Sequence, residues 1–561
     1  MEQNNPYNSQ PYANQTGIPG ENHAAPDGNN ISQNPYVSRQ GTYIPKKEDT
    51  VYTKTMKEHF SFFGIGSLLY AVFYTFCLYK NTSGITYPFF VAGTLCYFFC
   101  STRKLGVPYK KDSVFYIVSI VLLGISICLT SSEQILLMNK CGIFLLAFIL
   151  MLHTFYQNKE WNFPKYFCAV MQTIGTVLIC AARPLTDMIS YADMRKKNKE
   201  GKKSYLLPVL IGIAITVPLL LIITGLLASA DAVFANIFSR ILDAVNLETI
   251  FGTFFMTLAA FFVSYAVYAA LSMKEVKEET PDLRTLEPVI AIIITAALSV
   301  IYLLFSVIQI LYLFIGNMKL PEGYTYSGYA REGFFQLLTV CILNLIIVLI
   351  CLYLFRENTA LKLILTVISG CTFIMILSSA LRMIMYINRY NLTFLRIFVL
   401  WSLAVIFLLM AGVTVFIYRN RFPLFTYSMV IVTVFYIGLS FSHPDYWIAR
   451  YNLVPEHLEY LDDYDIRDNQ KYLRRLSADA APILLNKSKN PYLPPFGFAS
   501  YASAQDTDDT EIYHKEDDIP EELLWLYRYY HNMEELSNDM HIRNFNFSVY
   551  TAQKYIYKLN D

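Results

Sequence analysis

The chain is short of charge. Only 16% of its 561 residues are Asp, Glu, Lys or Arg, while 54% are hydrophobic. A soluble globular chain carries about 25% charged residues, so polar surface is too scarce here for a water-soluble body of this size. Cysteine is missing from both polar ends: all ten lie in or beside apolar segments, from Cys77 to Cys371. That placement argues against a disulfide framework or a zinc site and leaves small apolar packing residues. Enzyme signatures are missing as well. There is no Gly-rich phosphate loop, HExxH or GxSxG, and "GIGSLL" near residue 64 lies inside an apolar run as small-residue packing. His443, His457, His514, His531 and His541 lack metal-ligand spacing and read as solvated surface residues. No metal or other cofactor is expected, and no basic stripe interleaved with aromatics points to nucleic acid.

What is present is a series of long apolar runs without strand alternation. A helix needs about 20 such residues to cross a hydrocarbon core of roughly 30 Å, and backbone in lipid must be helical or a closed barrel. The fold class is therefore all-α: a polytopic helical membrane bundle of about 11 transmembrane helices, embedded in a lipid bilayer. Candidate spans fall near 60–80, 85–101, 113–131, 137–156, 205–228, 250–272, 288–315, 334–355, 362–386, 396–418 and 423–441. Residues 1–55, rich in Asn, Gln, Pro and Tyr, cannot bury enough apolar area to offset ordering and read as a disordered cytoplasmic tail. They contain no basic stretch followed by an apolar one, so a cleaved signal peptide is not expected.

Lys and Arg in short loops set orientation. Residues 101–112 carry Arg103, Lys104, Lys110 and Lys111, and 183–203 carries seven basic residues, so both are expected to be cytoplasmic loops. Three apolar stretches lie between them, where an even number of crossings is required. The weakest, 164–182, is interrupted by Gln172, Thr173, Gly175 and Thr176 and is assigned to the inner interface as an amphipathic or re-entrant helix. Residues 56–204 thus form an amino-terminal membrane part and 205–441 a core of seven helices. The alternative, twelve crossings with both ends inside, would put the most basic loop outside.

Residues 442–561 differ, with 12 Lys and Arg against 21 Asp and Glu, a net −9. Helical spacing in "RDNQKYLRRLSADAAPILL", capped by Asp468, in "PEELLWLYRYYHNMEEL" after Pro520, and in "NFSVYTAQKYIYKL" predicts a small, acidic, exterior α-helical domain.

Under this topology the informative polar residues gather at the outer interface. An in-plane amphipathic helix is predicted from Val233, with Asp231 or Ser229 as cap and Arg240 and Asp243 on its polar face. Arg331 and Glu332 enter the next helix side by side. Arg382 lies inside an apolar run, with Arg389 and Arg396 following at seven-residue spacing; a charge there usually faces protein or water. The segment "HPDYWIARYNL" closes the last run. An aromatic belt explains Tyr446, Trp447 and Tyr451, but not Asp445, Arg450 or Asn452. Two readings of this carboxylate and guanidinium cluster stand. It locks helices together, or it binds an anionic lipid head group, an envelope precursor or a small anionic solute. A non-enzymatic envelope protein that binds, senses or scaffolds is expected, with a transporter or lipid-precursor handler as the rival.

"SADAVF" at 229–234, "YAREGFFQLL" at 329–338, "RMIMYINRYNLTFLRIF" at 382–398 and "IARYNL" at 448–453 resemble hallmark segments of the bacterial membrane proteins grouped as domain of unknown function 4173. "YLRRLSADAAPILL" and "NFNFSVYTAQ" resemble that group's tail, and a 4153 group looks related. The resemblance covers roughly residues 205–561 and implies a Gram-positive envelope setting without an assigned reaction. One departure is Asn391, where the group usually has Gly in the turn; Asn also tolerates left-handed backbone.

Overall fold

The structure, a computed structural model, describes residues 49–198, parts of 212–231, 247–280, 282–311, 326–454, 463–494 and 519–560. The amphipathic segment expected from Val233 lies outside the described residues, as does most of the fifth candidate span.

In chain order the described helices are α1 (Val51–Glu58), α2 (Phe60–Leu78), α3 (Thr86–Leu105), α4 (Ser113–Leu129) and α5 (Glu133–Phe155). Then come α6 (Phe163–Ile179), a 3-10 turn (Cys180–Ala182) and α7 (Arg183–Asn198). The core holds α8 (Leu247–Met273), α9 (Pro288–Gln309), α10 (Tyr326–Leu354), α11 (Thr359–Tyr390), α12 (Phe394–Tyr418) and α13 (Leu424–Phe441). Beyond it lie α14 (Pro444–Asn452), α15 (Asp463–Leu473), a 3-10 turn (Ala478–Ala480), α16 (Ala481–Leu484), α17 (Glu521–Asn538) and α18 (Phe547–Asn560). The only β-type pairing among the described residues is an isolated bridge between Leu286 and Phe355.

Caps explain several boundaries. Asn358 accepts from the amides of Ala360 (2.8 Å) and Leu361 (3.3 Å) at the start of α11, and Asn162 accepts from Lys165 N (3.1 Å) at the start of α6. Gly106, at φ +76°, ends α3 behind Arg103 and Lys104.

Nine helices among the described residues are long and apolar enough to cross a membrane. Two ends of the bundle can be told apart by their contacts. At the first end, Lys110 Nζ donates to His153 O (2.5 Å) and Tyr156 O (2.6 Å), and Trp161 Nε1 donates to Glu278 O (2.9 Å). Glu357 there gathers Arg284 (2.8 Å), Lys362 (2.7 Å) and Asn420. At the second end the turns after α2, α4 and α11 and the exit of α13 all meet the carboxy-terminal helices. The basic residues of the connections at 106–112, 274–287, 355–358 and 419–423 thus sit opposite the carboxy-terminal helices.

Composition and contacts part company at α6. Phe163–Arg195 is one of the nine long apolar helices, and from Phe163 to Arg183 the axis covers about 30 Å. Yet Tyr166 stacks on Phe425 at the start of α13 (3.7 Å between ring centroids), and Gln172 Nε2 donates to Glu275 O (3.1 Å). Arg183 reaches Met273 Sδ (3.7 Å) at the end of α8, and Tyr191 meets Phe60 at the start of α2. All these partners of α6 and α7 belong to the first end. The basic stretch expected as a loop from residue 183 is instead helical as far as Asn198. Asp187 on that helix accepts from the Tyr265 hydroxyl (3.0 Å), which holds α7 against α8.

Inside the bundle, Asn139 joins three helices. Its amide nitrogen donates to Ser126 Oγ (3.1 Å), while Tyr436 OH (2.7 Å) and Ser440 Oγ (2.8 Å) bond its oxygen. In lipid such a bond contributes about 0.6 kcal/mol on average, so the network sets helix register more than stability.

The single helix expected over 467–485 is broken. α15 begins at Asp463, so Asp468 is not its cap, and the chain turns at Arg474–Leu476 before the 3-10 turn that starts after Ser477. The break brings Leu473, Leu476, Ile483 and Leu484 onto Trp525, Leu526 and Tyr529 of α17 and Ala552 of α18, in one apolar core that also takes Ile448 and Ala449 of α14.

Candidate functional site

The richest polar contacts outside the spans lie where α13 gives way to α14. Pro444 in the first turn of α14 and the left-handed backbone of His443 (φ +48°) redirect the chain at the membrane helix's end. The 3-10 turn delivers Asp479, whose side chain has no exposed surface. Its carboxylate accepts from Thr130 Oγ1 (2.5 Å), Ser131 N (3.1 Å) and Ser548 Oγ, and meets His443 Nδ1 at 3.2 Å. Four donors from the α4–α5 turn, α18 and the α13 exit satisfy a group that would be costly to bury bare. The Asp479 carboxylate holds the His443 imidazole above its ordinary pKa, against the opposing effect of burial.

Asn546 works beside it. Its amide nitrogen donates to Thr130 O (2.8 Å) and Ile127 O (3.4 Å), and its oxygen caps α18 through Ser548 N (2.9 Å). Nearby, Ile85 N donates to Phe545 O (2.8 Å) and Arg543 Nη2 to Tyr79 O (2.7 Å). The turn before α3 is thereby tied to the same segment.

The residues singled out from the sequence fall in different places. Asp445 is buried and accepts from Ser477 N (3.2 Å); burial pushes its carboxyl above the usual range, assisted by the nearby Asp479 charge. Asn452 is fully buried: its side-chain amide exchanges hydrogen bonds with Leu392 N (2.8 Å) and O (3.0 Å) and donates to Asn469 Oδ1 (3.0 Å). Arg450 is exposed and lies 5.6 Å from the Trp447 ring centroid. Five residues on a helix separate side chains by about 140°, so Arg450 and the buried Asp445 do not pair.

Arg382, 8% exposed, donates from Nη2 to Gln309 Oε1 (3.1 Å), which also accepts from Ser378 Oγ (2.6 Å). This group sits between α9 and α11. Arg396 belongs to α12, beyond the Asn391 break, and stacks on Tyr386 at 4.2 Å, so the seven-residue spacing is not one helical stripe. Asp231 is exposed, and Arg331 and Glu332 lie in the early turns of α10. Arg240 and Asp243 lie outside the described residues.

Sequence reasoning missed Asp479, and it read His443 as a solvated surface histidine, which the structure corrects. His443 is half-buried and bonded. The available signal was faint: a proline directly after the histidine, and one acid among alanines in "SADAAP".

A cavity of about 440 Å³ opens at this junction between Leu129, His443, Trp447, Asp479, Phe547 and Thr551. Among the described residues no group of His, Cys, Asp and Glu side chains could hold a metal ion.

A bundle of long apolar helices with this polar junction at one end defines an integral membrane protein. The chain belongs to the family described as domain of unknown function (DUF4153), whose model matches residues 117–486. That range takes in most of the bundle, His443, Asp445 and Asp479. No curated protein and no solved structure matches the chain.

Proposed function

We propose that the chain is a multi-pass protein of a bacterial plasma membrane that binds or senses a ligand at its outer face and serves there as a scaffold. The amino terminus lies in the cytoplasm, the chain crosses eleven times, and the carboxy-terminal helices stand outside. The observation that carries this reading is the gathering of loop Lys and Arg at the end opposite those helices. Cytoplasmic loops are the ones enriched in basic residues. The contacts of α6 along that basic end support an interfacial rather than a spanning helix. The likeness to the 4173 group supports the envelope setting.

The test is topological. A Cys placed at exposed Ser488, in a chain whose native cysteines are Ala, should react with a membrane-impermeant maleimide on intact cells. Reaction only after permeabilisation overturns the reading.

A second reading, a transporter or lipid-precursor handler, draws on Arg382. An ionisable residue within a membrane helix marks a substrate path by default, and Arg382 with Gln309 and Ser378 is such a group. Asp231, Arg240, Asp243, Arg331 and Glu332 would complete its outer-face cluster. Substrate-dependent flux lost in Arg382→Gln, with the chain still folded, would favour it.

A further inference from the structure

We propose that the cavity at the α13–α14 junction binds the phosphate-bearing, hydroxyl-bearing head group of an anionic membrane lipid. Leu129 ends α4 and Ser442 comes directly after α13, so the cavity opens where apolar helices stop. That is the level of lipid head groups. Its volume, about 440 Å³, suits a head group with the first part of its glycerol, and Leu129, Pro482 and Phe547 offer an apolar wall to the start of the acyl chains.

The polar lining selects the chemistry. Asp479 is the only acid among the described lining residues, and its oxygens are already engaged by Thr130, Ser131, Ser548 and His443. The described lining therefore offers no bare carboxylate to a cation. Two cations contact aromatic residues of its lining: Arg450 lies 5.6 Å from the Trp447 ring centroid and Lys489 lies 6.0 Å from that of Tyr446. With His443 Nδ1 turned to Asp479, Nε2 is the ring nitrogen left for a ligand, and that side chain is 38% exposed. In the proposed complex the phosphate lies beside His443 and draws on the positive charge of Arg450 and Lys489 near the aromatic lining. The hydroxyl protons of Ser442 and Thr551 are committed to the carbonyls of Leu439 and Phe547 (2.8 Å each). Their oxygens are thus acceptors, suited to ligand hydroxyls rather than to a quaternary ammonium. Phosphatidylglycerol has the required combination, and phosphatidylcholine lacks it.

The site rests on the outer-face reading only for which leaflet supplies the lipid. The binding test is made in detergent, where sidedness plays no part, so the two can fail separately. Full-length protein is titrated with dihexanoyl phosphatidylglycerol, dihexanoyl phosphatidylcholine and free glycerol phosphate, and binding is monitored by tryptophan fluorescence. Saturable binding of phosphatidylglycerol is expected, roughly tenfold weaker in His443→Gln and in Arg450→Gln. Phosphatidylcholine and glycerol phosphate should each bind at least about tenfold more weakly. Arg450 is exposed and outside the Asp479 network, so its variant keeps the test decisive if His443→Gln unfolds. Equal binding of phosphatidylcholine, or unchanged affinity in Arg450→Gln, overturns the proposal. Glycerol phosphate binding as tightly as the lipid would assign the cavity to a free solute and overturn it too.

Discussion

His443 Nδ1 and Asp479 Oδ2 stand 3.2 Å apart across a separation of 36 residues. This contact joins the exit of the last membrane helix to the turn that opens the carboxy-terminal core. Both partners of the junction's acid chemistry shift in the same direction: Asp479 raises the proton affinity of His443, and burial raises that of Asp445. The folded junction therefore holds more protons than the unfolded one, and stability falls as pH rises. The His443 contribution is fully present below the ordinary histidine pKa of about 6.5 and is lost as pH climbs through its raised value. The cost of Asp445 grows as pH climbs through its own raised value. Hydrogen exchange at the Ser477–Leu484 amides, corrected for intrinsic rates, should show easier opening at about pH 8 than at about pH 5.5. His443→Asn should flatten the upper part of that profile. Protection that does not vary with pH would contradict the assignment.

Gly84 lies at φ +123°, and a Cβ built there would stand 2.6 Å from the backbone of Asn544. Neither atom can give way cheaply, because both belong to backbone. Gly84→Ala should cost roughly 2–3 kcal/mol and loosen the docking of the Arg543–Asn546 segment. Exchange of the Ile85 amide, bonded to Phe545 O, reports this directly. Unchanged protection would show that the close approach is not required.

Asn391 ends α11 at φ +107° and ψ 162°, a region populated almost only by Gly. Tolerance of left-handed backbone by Asn is not enough there, because this ψ lies beyond the left-handed helical well. Asn391→Gly should stabilise the protein by about 1 kcal/mol, the strain relieved less the extra freedom of the unfolded chain. Thermal unfolding in detergent checks the sign, and a lowered midpoint would refute it.

Much of the bundle was legible because long apolar runs need no distant partner to be recognised. Gln172 shows how far such reading reaches. Its polar side chain was legible as a break in an apolar run, whereas its bond to Glu275 O was not. Asp445 was singled out because an aromatic belt does not explain it, and it lies buried under Ser477. Pairing was not legible. The partners of Asp479 come from three distant segments around Thr130, His443 and Ser548, and no period links them. Arg450 was grouped with Asp445 in one polar cluster, and the two part on the helix: Asp445 is buried and Arg450 is exposed. The break at Arg474–Leu476 was hidden because apolar spacing runs through it unchanged.

The carboxy-terminal helices are clasped to the end of the bundle through the buried Asp479. The most direct measurement is hydrogen exchange on Asp479→Ala in lipid nanodiscs. Removing a buried carboxylate orphans its donors and should cost about 3 kcal/mol. Protection should fall together at the Ser477–Leu484 amides, along α18 and at the Thr130–Ser132 turn, while the amides of α11 and α12 keep theirs. Protection unchanged at the Thr130–Ser132 turn, or lost throughout the bundle, would contradict the account.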